Sequence, residues 1–148
     1  MRDITGSPIA ALSDIALEAV TGPEVVTGST RMKAGTAQKL ILNMLSTGAM
    51  IRLGKVYGNL MVDVTATNEK LAERARRIVM EATGCSREES IAALAEAEGS
   101  AKLAILLLLS GLPKEEARRR LDAAEGYLAR ALAPTPQPAA ARPNTNFS

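Results

Sequence analysis

The chain has 148 residues, of which 47% are apolar and only 2% aromatic, and its net charge is +2. That length allows one domain with an adequate core or two small ones, built from Ala, Leu, Ile, Val and Met, a composition that favours packed helices over a β-sandwich. The absence of histidine and the single cysteine, Cys85, exclude a histidine base, a Ser-His-Asp triad, histidine-based zinc sites, an intrachain disulfide and a Cys-rich metal cluster.

The net charge is too small, and Tyr57, Tyr127 and Phe147 too scattered, to argue for a nucleic-acid partner, which needs a basic face with stacking platforms. "MRDITGSPIA" lacks a signal peptide's apolar run. The most apolar stretch, Leu103–Leu112, is about half the length that spans a bilayer. With one lone thiol, these features predict a soluble, cytoplasmic protein.

Ser7-Pro8 suits a helix start, and "PIAAL" a short turn or helix. "DIALEAV", Asp14–Val20, reads as a strand, and "TGPE", Thr21–Glu24, as a turn. From Ala34 to about Arg52, Leu40, Ile41, Met44, Leu45 and Ala49 recur at helical spacing, with Thr36, Lys39, Asn43 and Thr47 as a polar stripe. Gly48 inside this helix suggests a close approach to another element, and Gly54 is a C-cap candidate.

A helical module follows. Thr67 or Asn68 can cap a helix whose face is Leu71, Ala75, Ile78, Val79 and Ala82, with Gly84 beyond its end. Ser86 and Glu89 form a capping box. "SAKLAILLLLSG" reads as a buried central helix. Pro113 opens a last amphipathic segment with Ala117, Leu121, Ala124 and Leu128 on one face. Three or four short helices in about 65 residues predict a compact bundle. "ERARR" and "EEARRR" read as salt-bridged, solvent-facing stripes. The Pro-rich end predicts disorder from about Ala133, and no internal repeat is evident.

Between Val25 and Val62 lie five cations, Arg31, Lys33, Lys39, Arg52 and Lys55, and no Asp or Glu. Arg31 and Lys33 sit where the long helix begins, the wrong end for cations because exposed N–H groups carry partial positive charge there. A solvated basic patch is the plain reading. The functional reading joins the hydroxyls of Thr27, Ser29, Thr30 and Thr36, the freedom of Gly28 and the helix-start N–H groups into an anion pocket, with phosphate as its commonest occupant. Glu24 reads either as a turn or capping residue or as an acceptor for a substrate hydroxyl. Asn43 and Thr47 read as packing partners, and nothing favours a catalytic role for Tyr57.

The stretch "GPEVVTGSTRMKAGTAQKLILNMLSTGAMIRLGKVYGNLMVDV" resembles the carboxy-terminal half of the N-acetylmuramic acid 6-phosphate etherase family, from "GSPIA" to about Leu132. "GPE" and "KAGTAQ" also resemble the wider sugar-isomerase (SIS) superfamily, and the glucokinase regulatory proteins share much of "TGSTR.KAGTAQK". The resemblance implies an α/β fold: residues 1–63 as the carboxy-terminal portion of a doubly wound SIS domain, 64–132 as a small bundle similar to ubiquitin-associated domains, and 133–148 as a disordered tail, with this chain mostly α. It implies a lyase that cleaves the D-lactyl ether of N-acetylmuramic acid 6-phosphate to N-acetylglucosamine 6-phosphate and D-lactate in cell-wall recycling, with no metal or organic cofactor, working as a homodimer.

Family members are about twice this length. The half without a counterpart here carries most of the sheet, a Ser/Thr-rich phosphate loop and the two catalytic glutamates, so the resemblance assigns no catalytic residue to this chain. What carries over is one wall of the substrate pocket: Glu24, Thr27, Gly28, Ser29, Thr30, Arg31 and Lys33. The expectation is an etherase-family polypeptide lacking its amino-terminal half, self-associating or covered by a partner chain that supplies the rest. The alternatives are a non-catalytic phosphosugar-binding regulator and a helical interaction module.

Overall fold

The computed structural model describes residues 6–64 and 68–134. The chain divides between Arg52 and Leu53 into two compact units. In the first, α1 (Pro8–Leu12) starts where expected, with Ser7 as N-cap accepting from the Ala10 N–H. Residues 14–20 form no strand: the apolar alternation is present, but among the described residues no neighbouring strand completes a ladder, and Ile15, Leu17 and Val20 stay exposed. α2 (Lys33–Arg52) is the longest helix described and buries none of its residues. No described atom lies within 4 Å of a Cβ built on Gly48, so the close approach suggested for it is not made among the described residues. Leu40, Leu42, Met44, Leu45 and Ile51 are all more than half exposed, an apolar surface much larger than scattered exposed residues provide.

The second unit opens with a hairpin that the sequence reading did not register. β1 (Val56–Tyr57) pairs antiparallel with β2 (Leu60–Met61) across Gly58-Asn59, with Val56 opposite Met61. The turn needs a positive φ, and Gly58 supplies it at 58°. This hairpin is the whole β-structure of the described residues, so the chain is mostly helical.

Five helices complete the unit: α3 (Glu69–Thr83), α4 (Arg87–Glu96), α5 (Ala101–Ser110), α6 (Lys114–Ala123) and α7 (Leu128–Leu132). Asn68 caps α3 through its side chain, and Gly84 ends it in the left-handed region; Thr67 lies outside the described residues. Both arms of the Ser86–Glu89 capping box form. The segment after Pro113 is two helices rather than one continuous one, because Glu125 and Gly126 both take left-handed φ and turn the chain. α5 is the core element: Ala104, Ile105 and Leu106 are fully buried, packed with Val79, Ala117, Leu128 and the hairpin's neighbour Val62. The tail expected to be disordered lies, from residue 135, outside the described residues. Among the described residues no helix is long and apolar enough to cross a membrane.

The structure also corrects the expectation that the chain lacks a repeat. α4 and α6 have equal length and begin 27 positions apart, as do α5 and α7, and α3 and α5 end 27 positions apart. The turns match bond for bond. Gly84 N–H donates to Met80 O and Gly111 N–H to Leu107 O, while Gly99 N–H donates to Leu94 O and Gly126 N–H to Leu121 O. Side-chain identity survives at scattered positions, Gly84 with Gly111, Glu88-Glu89 with Glu115-Glu116 and Leu94 with Leu121, besides "AEG" at Ala97–Gly99 and Ala124–Gly126.

Charged side chains strap the surface. Glu73 accepts from Arg76, Arg77 and Arg87, the last tying α4 to α3 at 2.7 Å. Glu98 accepts from Lys114 and Arg118 of α6. The hydrogen bonds from Arg87 above all, opposed by burial and aided by Arg76 and Arg77, hold the Glu73 carboxyl at about 2 instead of 4.5.

Two outcomes are expected. Leu106→Ala should lower the unfolding free energy by roughly 2–5 kcal/mol in urea denaturation, because it empties a site that close packing cannot refill. The depressed carboxyl of Glu73 binds its proton more readily in the unfolded chain, so its stabilisation is present above pH 4.5 and lost as the pH falls towards 2. The gap in urea midpoint between the native protein and Glu73→Gln should therefore narrow across that window; a gap independent of pH would contradict the assignment.

Candidate functional site

In the first unit the chain from Thr21 to Ala34 forms a loop closed at its base. The carboxylate of Glu24 accepts the N–H of Lys33 at 3.0 Å and of Ala34 at 3.1 Å, one on each oxygen. The Lys33 ammonium returns to the Pro23 carbonyl at 2.9 Å. The next two amides of α2 are also taken, Gly35 by Thr30 O at 2.8 Å and Thr36 by Met32 O at 3.2 Å.

These bonds resolve the apparent misplacement of Arg31 and Lys33 differently from the expectation. A negative charge does sit at the positive end of α2, but it is the chain's own Glu24. The N–H groups of Lys33, Ala34 and Gly35 at the helix start are all paired within the loop, so they offer no free cradle for an external anion. The capping reading of Glu24 holds.

Above this base the loop shapes a cleft of about 440 Å³, lined by Val20, Thr21, Gly22, Pro23, Glu24, Thr27, Gly28, Ser29, Thr30 and Ala34. A second cleft of about 460 Å³ is lined by Val26, Gly28, Ser29, Thr30 and Arg31. Of the residues the sequence singled out, Glu24, Thr27, Gly28, Ser29 and Thr30 share the first cleft. Arg31 joins the last three in the second, and Lys33 lines neither. Gly28 has φ 88°, a conformation that disfavours a side chain although there is space for one.

The chemistry available is the four hydroxyls of Thr21, Thr27, Ser29 and Thr30, the Arg31 guanidinium of the second cleft and a carboxylate whose oxygens each retain a lone pair after capping. Hydroxyls and a guanidinium suit an oxyanion, and the carboxylate suits a hydroxyl-bearing ligand. Of the other cations in the stretch, Lys55 pairs with Asp63 at 2.9 Å in the second unit. The +5 charge counted along the chain is thus not a single patch. Asn43 and Thr47 are exposed on α2, so among the described residues they are neither packing partners nor part of these clefts. Among the described residues no group of three His, Cys, Asp or Glu side chains could hold a metal ion.

No family model matches the chain. It is similar to N-acetylmuramic acid 6-phosphate etherases from several bacteria. It is 65% identical over 123 residues to that of Aeromonas hydrophila subsp. hydrophila, spanning 83% of this chain and 41% of the relative. It is 61% identical over 127 residues to that of Photobacterium profundum, spanning 86% and 42%, and 59% identical over 126 residues to that of Pasteurella multocida, spanning 85% and 42%. The chain thus spans about two fifths of the length of the curated relatives it matches, and the resemblance carried by "TGSTRMKAGTAQK" extends over most of its residues.

The capping role of Glu24 has a direct readout. Glu24→Ala should speed hydrogen exchange at the Lys33 and Ala34 amides by roughly tenfold, the usual scale of a lost N-cap, while the α5 amides of the second unit keep their protection.

Proposed function

We propose, from the match between this chain and the carboxy-terminal half of the N-acetylmuramic acid 6-phosphate etherases, that its Glu24–Lys33 loop forms one wall of a phosphosugar site. The reaction served is cleavage of the D-lactyl ether of N-acetylmuramic acid 6-phosphate, giving N-acetylglucosamine 6-phosphate and D-lactate during cell-wall recycling. The observation that carries the reading is the convergence of Glu24, Thr27, Gly28, Ser29 and Thr30 on one cleft beside Arg31.

In this reading the hydroxyls of Thr27, Ser29 and Thr30 donate to the phosphate, and Arg31 supplies charge from the adjoining cleft. Gly28 lets the backbone approach closely. Glu24 holds the loop's two ends together and accepts from a sugar hydroxyl with its remaining lone pairs. Lys33 reaches a ligand only by leaving the Pro23 carbonyl. Eliminating lactate requires a base for the C2 proton and an acid for the departing ether oxygen, roles that carboxylates of separated pKa can fill. Neither role falls to a residue of this chain, so the active assembly includes further polypeptide.

The exposed apolar side chains of α2 support the same conclusion, since a doubly wound SIS sheet would cover them. We assign residues 1–63 to that domain and 64–132 to a bundle of ubiquitin-associated type. The assembly is a homodimer or a pairing with a chain supplying the rest of the site, and it acts in the cytoplasm. A non-catalytic phosphosugar sensor is the second reading, favoured by the lack of any acid–base pair in the loop.

Calorimetry on an assembly that includes the rest of the site distinguishes these. N-acetylglucosamine 6-phosphate should bind, and Arg31→Ala should weaken it by about tenfold or more, the scale of one charged hydrogen bond, without altering the affinity for unphosphorylated N-acetylglucosamine. Release of D-lactate from N-acetylmuramic acid 6-phosphate identifies the lyase, and binding without release identifies the sensor. If Arg31→Ala and Lys33→Ala both leave affinity unchanged, the basic pair is a solvated patch and the reading fails.

A further inference from the structure

The 27-residue recurrence gives the second unit two quasi-equivalent elbows, and the described residues cover only one of them. At the second elbow, Glu125-Gly126-Tyr127, the segment leading into the hairpin packs against the turn. A Cβ on Gly54 would lie 3.1 Å from Gly126 O and 3.2 Å from the Tyr127 ring, so any larger residue would crowd the turn. Gly54 also has φ 65°, which independently favours glycine. Nearby Lys102 faces Asp63 at 3.9 Å, and Tyr57, Leu60 and Val64 pack on the core.

The first elbow, Glu98-Gly99-Ser100, has the same backbone: φ 55° and 83° at Glu98 and Gly99, against 54° and 76° at Glu125 and Gly126. Yet no described atom lies within 4 Å of a Cβ built on Gly99. A groove of about 430 Å³ opens there between α3 and α4, with an apolar floor of Ala72, Ala75, Ile91, Leu94 and Ala95 beside Gly99 and the charged Arg76 and Glu98 at its edge.

Sequence differences between the two copies point the same way. Ile91, Ala92 and Ala95 of α4 are exposed, with Ile91 at 44%. Their counterparts 27 positions on, in α6, are Arg118, Arg119 and Asp122. At these three positions one surface of the repeat is charged while its twin is apolar, within the same unit. Burial of apolar area is the force available to cover it.

We propose that the α3–α4 groove is a docking site for a partner protein segment built like this chain's own hairpin arm: a tight turn with apolar side chains and glycine where it meets the Gly99 carbonyl. The occupant is defined by what already sits on the equivalent elbow. Ser100 replaces Tyr127 at the first elbow, which leaves room for a broader turn than Gly54 makes. The site lies wholly in the second unit and does not depend on the phosphosugar reading.

A disulfide-clasped peptide carrying residues 53–64, titrated into the 15N-labelled 148-residue protein, tests this. Saturable amide shifts at Ile91, Leu94, Gly99 and Ser100 are expected. Ile91→Arg should weaken them at least about tenfold, as loss of a central apolar anchor does; α6 carries arginine at the equivalent position, so the helix tolerates it. A valine at position 54 of the peptide should weaken them likewise. The absence of saturable shifts in the groove, shifts confined to Gly126 and Tyr127, or binding indifferent to both changes would each overturn the proposal.

Discussion

The carboxylate of Glu24 on the first two amides of α2 is the contact on which the candidate site depends. Without it the helix would begin with unpaired N–H groups and two nearby cations, an arrangement that frays. With it, residues nine and ten positions apart are joined, and the loop between them becomes a closed turn whose hydroxyls face one cleft. A capping residue reached through so long a loop is unusual. The resulting geometry ties the site's shape to the stability of the helix start, so loop and helix order together.

The same contact changes where an anion can be held. A helix N-terminus with free amides is an anion site of general kind. Here those amides are committed, so an anion bound as proposed would meet the side-chain hydroxyls, the Gly28 backbone and Arg31 instead. Such a surface is open on one side and gains strength only when another wall closes over it, because desolvation is what makes a few polar contacts worth much. The two-fifths coverage of the relatives and the bare apolar face of α2 fit a surface of that kind.

The second unit is organised by a different force. α5 is apolar on nearly every side, and burying it needs helices around it. Two copies of one helix-turn unit, offset by 27 residues, do this with α7 beginning a third. Glu98 and Glu125 accept left-handed backbone inside this scheme. Glu98 then uses its position to bind Lys114 and Arg118, tying the first elbow to α6. A shared backbone with diverged surface residues lets one elbow receive the chain's own hairpin arm while the other remains exposed.

Local chemistry settled much of this in advance. Helical periodicity, the Ser86–Glu89 box, the Asn68 and Gly84 caps and the apolar run of α5 are interactions over three or four residues, and each is legible because its partners are close in sequence. So were the residue types of the loop and their similarity to a phosphosugar enzyme. The unformed strand at Asp14–Val20 and the open surroundings of Gly48 could not be read, since a strand exists only with a neighbour and a glycine's clearance depends on what lies beside it. The Gly58-Asn59 hairpin was readable from turn chemistry but is only two residues per strand. Tertiary structure alone decided that Glu24 occupies the helix start, that Lys33 turns to Pro23, and that two dissimilar stretches share one backbone. Each of these rests on groups about ten or more residues apart meeting in space, and single-chain periodicity carries no information about such meetings.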